Sequence, residues 1–352
     1  MTFALPFLLF SGISGQLSEV KSKTQVLRWT KLAEVFIMLL AALGFWLQDF
    51  GILACVLFLM GAQSAFFSPS KDGVIPEMVE DRLLIPANGL VQMLTFLAVI
   101  LGIFLAGHLS QWFVNQPVFN GAFCVLVALA GVATVYQIPP TNANRPRLKM
   151  NRHPFRRLFQ TFALIKRDAG LVVALFAGSF FWFSGGMVTQ LVNHYGMKLL
   201  ELGEAGTSKM LASIALGIMI GCLSASPAQK KLGGRMTVLV GGLGVFLSEG
   251  SLFYYQMPLP ALLLLMLSAG FFTGLYYIPI AAFLQERPPW GTKGEVLAAV
   301  NFCKQLGILV SGATWLVFMA LEVPAHYVWW VLCGSLAIML TWMAPQLRQL
   351  DS

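Results

Sequence analysis

Two charged side chains fall where an apolar helix has no water to offer them. Glu249 and Lys304 each lie near the middle of a long hydrophobic run, and a charge at such depth is costly enough to imply a cavity, a partner or a function. Each could also answer the other. Gln190 sits in another run, the first of the second half, where an amide can hydrogen-bond either a polar ligand or a neighbouring helix without supplying charge. A different spacing appears at Gly15, Glu19 and Lys23, a glycine, an acid and a base one helical turn apart. There the acid can hold basic groups or the N-terminus of an adjacent helix. What is missing is as informative. No His, Cys, Asp or Glu grouping has metal-ligand spacing, and Cys55, Cys124, Cys222, Cys303 and Cys333 form no Cys-x-x-Cys pair. No glycine-rich loop precedes a Lys-Ser/Thr pair, and no His is followed by Asp five residues later. The sequence therefore predicts no enzyme, no metal and no cofactor.

These residues need elements that can carry charge through an apolar medium. Of 352 residues, 57% are hydrophobic and only 11% charged, and the mean hydropathy is +0.75. No water-soluble core absorbs that much apolar surface. A spanning helix needs about 20 apolar residues, and such runs recur at 1–18, 32–48, 51–68, 87–113, 118–137, 170–195, 207–226, 236–255, 260–283, 296–319 and 325–344. Eleven spans are expected. The first carries no Lys or Arg before its apolar stretch, so it reads as a retained helix rather than a signal peptide.

The net charge of +8 is distributed in a way that argues against nucleic acid. Nearly all of the 23 Lys and Arg residues fall in alternate loops, from Lys21 to Lys31, at Lys71 and Arg82, from Arg145 to Arg167, at Lys230 to Arg235, at Arg287 and Lys293, and at Arg348. The excess of positive charge marks the cytoplasmic side, which puts the C-terminus there and the N-terminus outside. Glu34 and His108 then fall near span ends, where snorkelling to the interface avoids full burial.

The longest hydrophilic stretch divides the chain. It predicts an N-terminal bundle of five helices at 1–137, a basic cytoplasmic linker at 138–169 and a C-terminal bundle of six helices at 170–352. Within the linker, Phe155, Leu158, Phe159, Phe162 and Ile165 recur at helical spacing beside Arg156, Arg157, Lys166 and Arg167. Such a helix suits an anionic membrane surface, and a solvated basic linker reads equally well. Gly15-Gln-Leu-Ser18 and Gly221-Cys-Leu-Ser224 end the first and seventh spans, each before a basic loop, which suggests two halves related by duplication.

With two bundles, a basic central loop and that repeat, the chain resembles the major facilitator superfamily, whose twelve helices form two six-helix halves. Gly15, Glu19 and Lys23 match the superfamily signature after its second helix, with Ser22 where a second Gly is usual; the second copy has Ala225 in place of the acid. Longer stretches are similar to the lysophospholipid transporter family: Leu5 to Leu17 with Lys31-Leu-Ala-Glu34, Ser68 to Glu77 with Ala87-Asn-Gly-Leu90, Phe180 to Phe183, Tyr277-Ile-Pro-Ile280, Leu284-Gln-Glu-Arg287 and Ala298-Ala-Val-Asn301. The form is closest to the transporter portion fused, in some bacterial proteins, to acyltransferase and acyl-carrier-protein ligase domains.

That resemblance implies an all-α polytopic membrane protein with eleven of an expected twelve helices, the family's first helix having no counterpart after Met1. The expectation is that the gene begins upstream. It further implies a flippase in the bacterial cytoplasmic (inner) membrane that moves lysophosphatidylethanolamine-like lysophospholipid to the inner leaflet, with a separate acyltransferase as partner. Gln190, Glu249, Asn301 and Lys304 become candidates for the substrate pathway. Gly15, Glu19, Lys23, Pro69, Lys71, Glu77, Asn88, Gly89, Glu286 and Arg287 become the cytoplasmic gate. Pro69, Pro76 and Pro86 predict a rigid, non-helical connection around Lys71 and Glu77. Two other readings stand beside this one: a proton-coupled exporter of an amphipathic drug or small solute, with Glu249 as proton carrier, and an inactive fragment.

Overall fold

Each helix starts and stops where its local chemistry dictates. The computed structural model describes residues 2–113, 116–147, 150, 154–251, 257–289 and 291–347. Lys149, Arg152 and Arg348 of the basic loops lie outside the described residues. Helix α1 (Leu5–Val20) carries Pro6 in its first turn, where the missing N–H costs nothing. Helix α2 (Lys23–Leu47) is capped by the Ser22 hydroxyl, which accepts from the Gln25 N–H, and stops where Gln48 turns left-handed. The Asp49 carboxylate caps α3 (Phe50–Met78) through the Gly51 and Ile52 N–H groups at 2.7 and 3.1 Å. Helices α4 (Leu84–Trp112), α5 (Val118–Val135) and α6 (Pro154–Ile165) follow. Asp168 caps α7 (Ala169–His194) at Gly170 and Leu171, and a turn of π-helix, Tyr195–Leu199, extends it. Then come α8 (Gly203–Leu232), ended by Gly233 at φ 83°, α9 (Gly234–Ser251), α10 (Leu259–Glu286), α11 (Lys293–Ala320) and α12 (Ala325–Met343).

The architecture is all-helical. Among the described residues, eight helices are long and apolar enough to cross a bilayer: α2, α3, α4, α5, α7, α8, α10 and α11. This is a multi-pass membrane protein. Helices α1, α9 and α12, expected as spans, form at the expected places but are shorter or less apolar than those eight. The amphipathic linker segment is helical over Pro154–Ile165, with Leu158 and Ile165 buried and Phe155 and Phe159 exposed.

Two sequence expectations require correction. The segment around Lys71 and Glu77 is no rigid non-helical connection, because α3 runs unbroken to Met78 with Pro69 and Pro76 inside it. In a membrane helix, neighbouring elements make good the lost hydrogen bond. Glu34 is not at a span end either. Helix α2 begins at Lys23, nine residues before the apolar run does, and this places Glu34 beside the helix midpoint.

The chain groups into two compact units. One comprises Met1–Val79, Leu101–Arg167 and Arg287–Gln305; the other comprises Glu80–Ile100, Asp168–Glu286 and Leu306–Ser352. In the first, α2 packs on α3 and α5, α1 lies against α3, and α6 rests on α1. Ile37, Ala41 and Val56 bury one contact between α2 and α3. In the second, α10 packs closely on α8 and α9. Gly221, one of the two repeated glycines, is spent on that contact: a Cβ there would lie 3.1 Å from the Gly274 Cα and still nearer the Phe271 carbonyl. Close backbone approach through small residues is how membrane helices associate. A core of Met187, Leu191, Met210, Met266 and Trp329 fills the other end of this unit.

Candidate functional site

The first unit gathers four elements at the basic-loop ends of their helices. Gly15 sits on α1 where it meets the start of α11, and a Cβ would fall 2.8 Å from the Ala298 Cβ and 2.9 Å from the Glu295 Cα. One turn on, Glu19 is fully buried and its Oε1 accepts a hydrogen bond from the Gly294 N–H in the first turn of α11. A carboxylate at a helix N-terminus meets both free N–H groups and the positive end of the macrodipole. Glu19 Oε2 is buried with no hydrogen-bond partner among the described residues. The Glu19 carbonyl accepts from the Arg145 N–H at 2.8 Å, which ties the linker to the same point.

One turn further, Lys23 is also fully buried and pairs with Glu77 near the end of α3. Its stem packs on Gly73. The signature residues Gly15, Glu19 and Lys23 thus act through three different contacts: a close approach, a helix cap and an ion pair. Linker helix α6 adds a fourth. Arg157 places Nε and Nη2 each 2.8 Å from Glu295 Oε1, and Glu19 and Arg145 are near enough to act on the Glu295 charge. Phe162 of α6 meets Phe302 of α11 edge-on at 6.2 Å. Helix α11 therefore starts inside a ring of alternating charge, with Val296 to Val300 almost wholly buried.

Within the same unit, Lys71 pairs with its neighbour Asp72 at 2.8 Å, and Lys304 acts electrostatically on the same carboxylate. Asn301, one turn before Lys304 on α11, is half-buried and its Nδ2 has no partner among the described residues. Pro69 is buried within α3.

The remaining candidates belong to the second unit, Arg287 excepted. Asn88 and Gln285 exchange amide hydrogen bonds at 3.0 and 2.7 Å, and Asn88 Nδ2 also donates to the Leu84 carbonyl. Gly89 lets α4 approach the Cys222 carbonyl of α8. Glu286 and Arg287, at the end of α10 and just beyond it, are exposed, as is Gln190 on α7. Glu249 is buried on α9 with Oε2 unpartnered among the described residues, and it acts on the Cys333 thiol of α12. Glu249 and Lys304 belong to different units. Sequence reasoning missed Gln285, Asp72, Arg157 and Glu295 as site residues, although Gln285 lies inside a stretch it had singled out.

An all-helical chain with eight helices long and apolar enough to cross a membrane, and with buried ion pairs at their ends, has the features of a solute carrier. Comparison with known proteins agrees: residues 1–312 match the Major Facilitator Superfamily, and the chain belongs to it. It is a membrane transporter, not an enzyme. Among curated relatives it is similar to the lysophospholipid transporter LplT of Cronobacter sakazakii (strain ATCC BAA-894), 27% identical over 330 residues, which is 92% of this chain and 80% of that protein. It is likewise similar to LplT of Escherichia coli O157:H7 (strain EC4115 / EHEC), 29% identical over 322 residues, 88% of this chain and 76% of that one. Of solved structures, the human organic anion transporter MFSD10 (TETRAN) superposes with a TM-score of 0.78 at 14% identity, covering 96% of this chain and 81% of that one. A bacterial homologue of the iron transporter ferroportin, in its outward-facing state, gives 0.72 at 14% identity, with 97% and 87% covered. These structural likenesses show the fold alone.

Proposed function

We propose that this chain moves lysophospholipid across a bacterial cytoplasmic membrane to the inner leaflet, where an acyltransferase restores the second acyl chain. The observation that carries this reading is the likeness to lysophospholipid transporters over about nine-tenths of the chain. Two helical bundles, 1–137 and 170–352, joined by the basic linker, alternate their access to the two faces. The basic-loop side faces the cytoplasm, and with it the C-terminus.

On this reading the contacts around α11 form the cytoplasmic closure. Glu19 on the α11 N-terminus and Arg157 on Glu295 bind the N-terminal bundle and linker to a C-terminal helix, and both must part for substrate to leave inward. Lys23–Glu77 holds α2 to α3 within the same unit. Buried charges suit such a device, because a pair is stable when closed and each group is readily hydrated when open.

The test is uptake of radiolabelled lysophosphatidylethanolamine into spheroplasts that express the chain, against spheroplasts that lack it. Uptake above the control is expected. An inserted protein giving none would overturn the proposal. Buried, half-unpartnered Glu249 favours a second reading, proton-coupled export of an amphipathic solute.

A further inference from the structure

The most informative unassigned cluster lies between α2 and α3, in the first unit. Glu34 stands within a residue of the midpoint of α2, a helix of 25 residues, and Gln63 with Ser64 at the midpoint of α3, a helix of 29 residues. At 1.5 Å per residue both positions lie about 17–22 Å from either helix end, midway along two helices that are each long and apolar enough to cross a bilayer. Lys31 donates to Glu34 Oε2 at 2.8 Å. Gln63 Nε2 reaches the same oxygen at 3.1 Å and the Thr30 carbonyl at 3.3 Å. The Ser64 hydroxyl donates to Gln63 Oε1 at 3.2 Å, so the Gln63 amide is held with its nitrogen toward the carboxylate.

The cluster is ordered but unsaturated. Among the described residues, Glu34 accepts both bonds on one oxygen, Oε2, and Lys31 donates a single side-chain hydrogen bond. The Lys31 ammonium also lies 5.1 Å from the Phe67 ring centroid. Both side chains remain partly open, at 23% and 16%. A structural ion pair in hydrocarbon gains nothing by staying open, and an apolar replacement would serve packing as well or better. An opening at this depth instead suits a polar group that passes through.

We infer that Lys31 and Glu34, positioned by Gln63 and Thr30, form a midmembrane station for a zwitterionic phosphoethanolamine headgroup. This inference rests on the proposed function and specifies its substrate contact. The two charges are one helical turn apart, matching the short ethanolamine arm between phosphate and ammonium. The phosphate meets Lys31, and the ammonium meets Glu34 Oε1. A lysophospholipid and a diacyl phosphatidylethanolamine share that headgroup. The station serves the single-chain form, whose lone acyl tail can follow one groove between helices.

The test uses the full chain in proteoliposomes, with lysophosphatidylethanolamine and lysophosphatidylglycerol as the two probes. Glu34→Gln, nearly isosteric, removes the ammonium partner. It should weaken lysophosphatidylethanolamine transport about tenfold, the worth of one charge-assisted hydrogen bond, and leave lysophosphatidylglycerol within about twofold of the unaltered protein. Lys31→Gln should weaken both. Equal loss of both lipids in Glu34→Gln would mean a structural pair and overturn the inference. A measurement on the unaltered protein guards against misfolded variants: a lysophosphatidylethanolamine bearing a diazirine at its sn-2 oxygen should label peptides spanning residues 24–34 or 60–67. Excess unlabelled lysophosphatidylethanolamine should suppress labelling, and excess diacyl phosphatidylethanolamine should not. Labelling elsewhere, or equal suppression by the diacyl lipid, overturns the station. Labelling there without transport would leave the station standing and remove the transport reading.

Discussion

Replacing either partner of the buried Lys23–Glu77 pair is expected to destabilise the protein far more than replacing both. Lys23 is fully buried, its side chain 1% exposed, and its stem is enclosed by Gly73, whereas the Glu77 side chain keeps 12%. Breaking a buried ion pair by removing one member costs about 3–5 kcal/mol, because the survivor is left charged and unpaired. Glu77→Gln strands the ammonium with no route to water and belongs at the upper end of that range. Lys23→Met strands a carboxylate that water can partly reach, while its own methylenes pack much as the lysine stem did, so about 2–3 kcal/mol is expected. In the double variant Lys23→Met/Glu77→Gln no charge remains, and it should lie within about 1–2 kcal/mol of the unaltered protein. The assay is a double-mutant cycle on detergent-purified protein, read as thermal midpoints under one set of conditions. The coupling should be large and of a sign that rescues. A double variant as unstable as the two single effects added together would refute the reasoning, since the pair would then contribute independently of its charge complementarity.

Gly15→Val should force α1 and α11 apart, because even a bare Cβ lies within 3 Å of two α11 atoms. Overpacking of that kind costs about 1–3 kcal/mol, and maleimide labelling of a cysteine placed at Ala298 should rise; unchanged labelling would contradict the close approach. Arg157→Glu sets two carboxylates against each other beside α11, and amide exchange in α6 should quicken, while Arg157→Glu/Glu295→Arg restores protection; equal exchange in all three proteins would show that the pair holds nothing. Glu249→Gln should leave lysophospholipid uptake with the same pH profile across about pH 6–8, whereas a flattened profile would favour the proton-coupled alternative.

The helices were legible because a bilayer demands long apolar runs and alternate loops carry the positive charge. Their ends were less so. Hydropathy marks only the apolar part of a helix, so α2, which begins more than two turns earlier through Lys23 and Lys31, and α3, which continues more than two turns further through Lys71 and Glu77, both read as too short. Those charges remain helical because each has a partner on the same or a neighbouring helix, and pairing is a three-dimensional fact. Glu19 was legible as an acid aimed at a helix terminus. Its actual partner, a backbone N–H of Gly294, has no side-chain signature. Asn88 could be singled out, but not that Gln285, 197 positions away, completes it. The same limit explains Glu34, which is an interfacial residue by hydropathy, yet lies near the midpoint of α2 with Gln63 of α3 bonded to it.

The central claim is that this transporter carries a single-chain phospholipid. Purified protein in liposomes, with fluorescent lysophosphatidylethanolamine confined to one leaflet, measures it directly: the fraction of label shielded from an impermeant quencher should change faster with protein than in empty liposomes, and excess unlabelled lysophosphatidylethanolamine should slow it. Equal rates with and without correctly inserted protein would contradict the account.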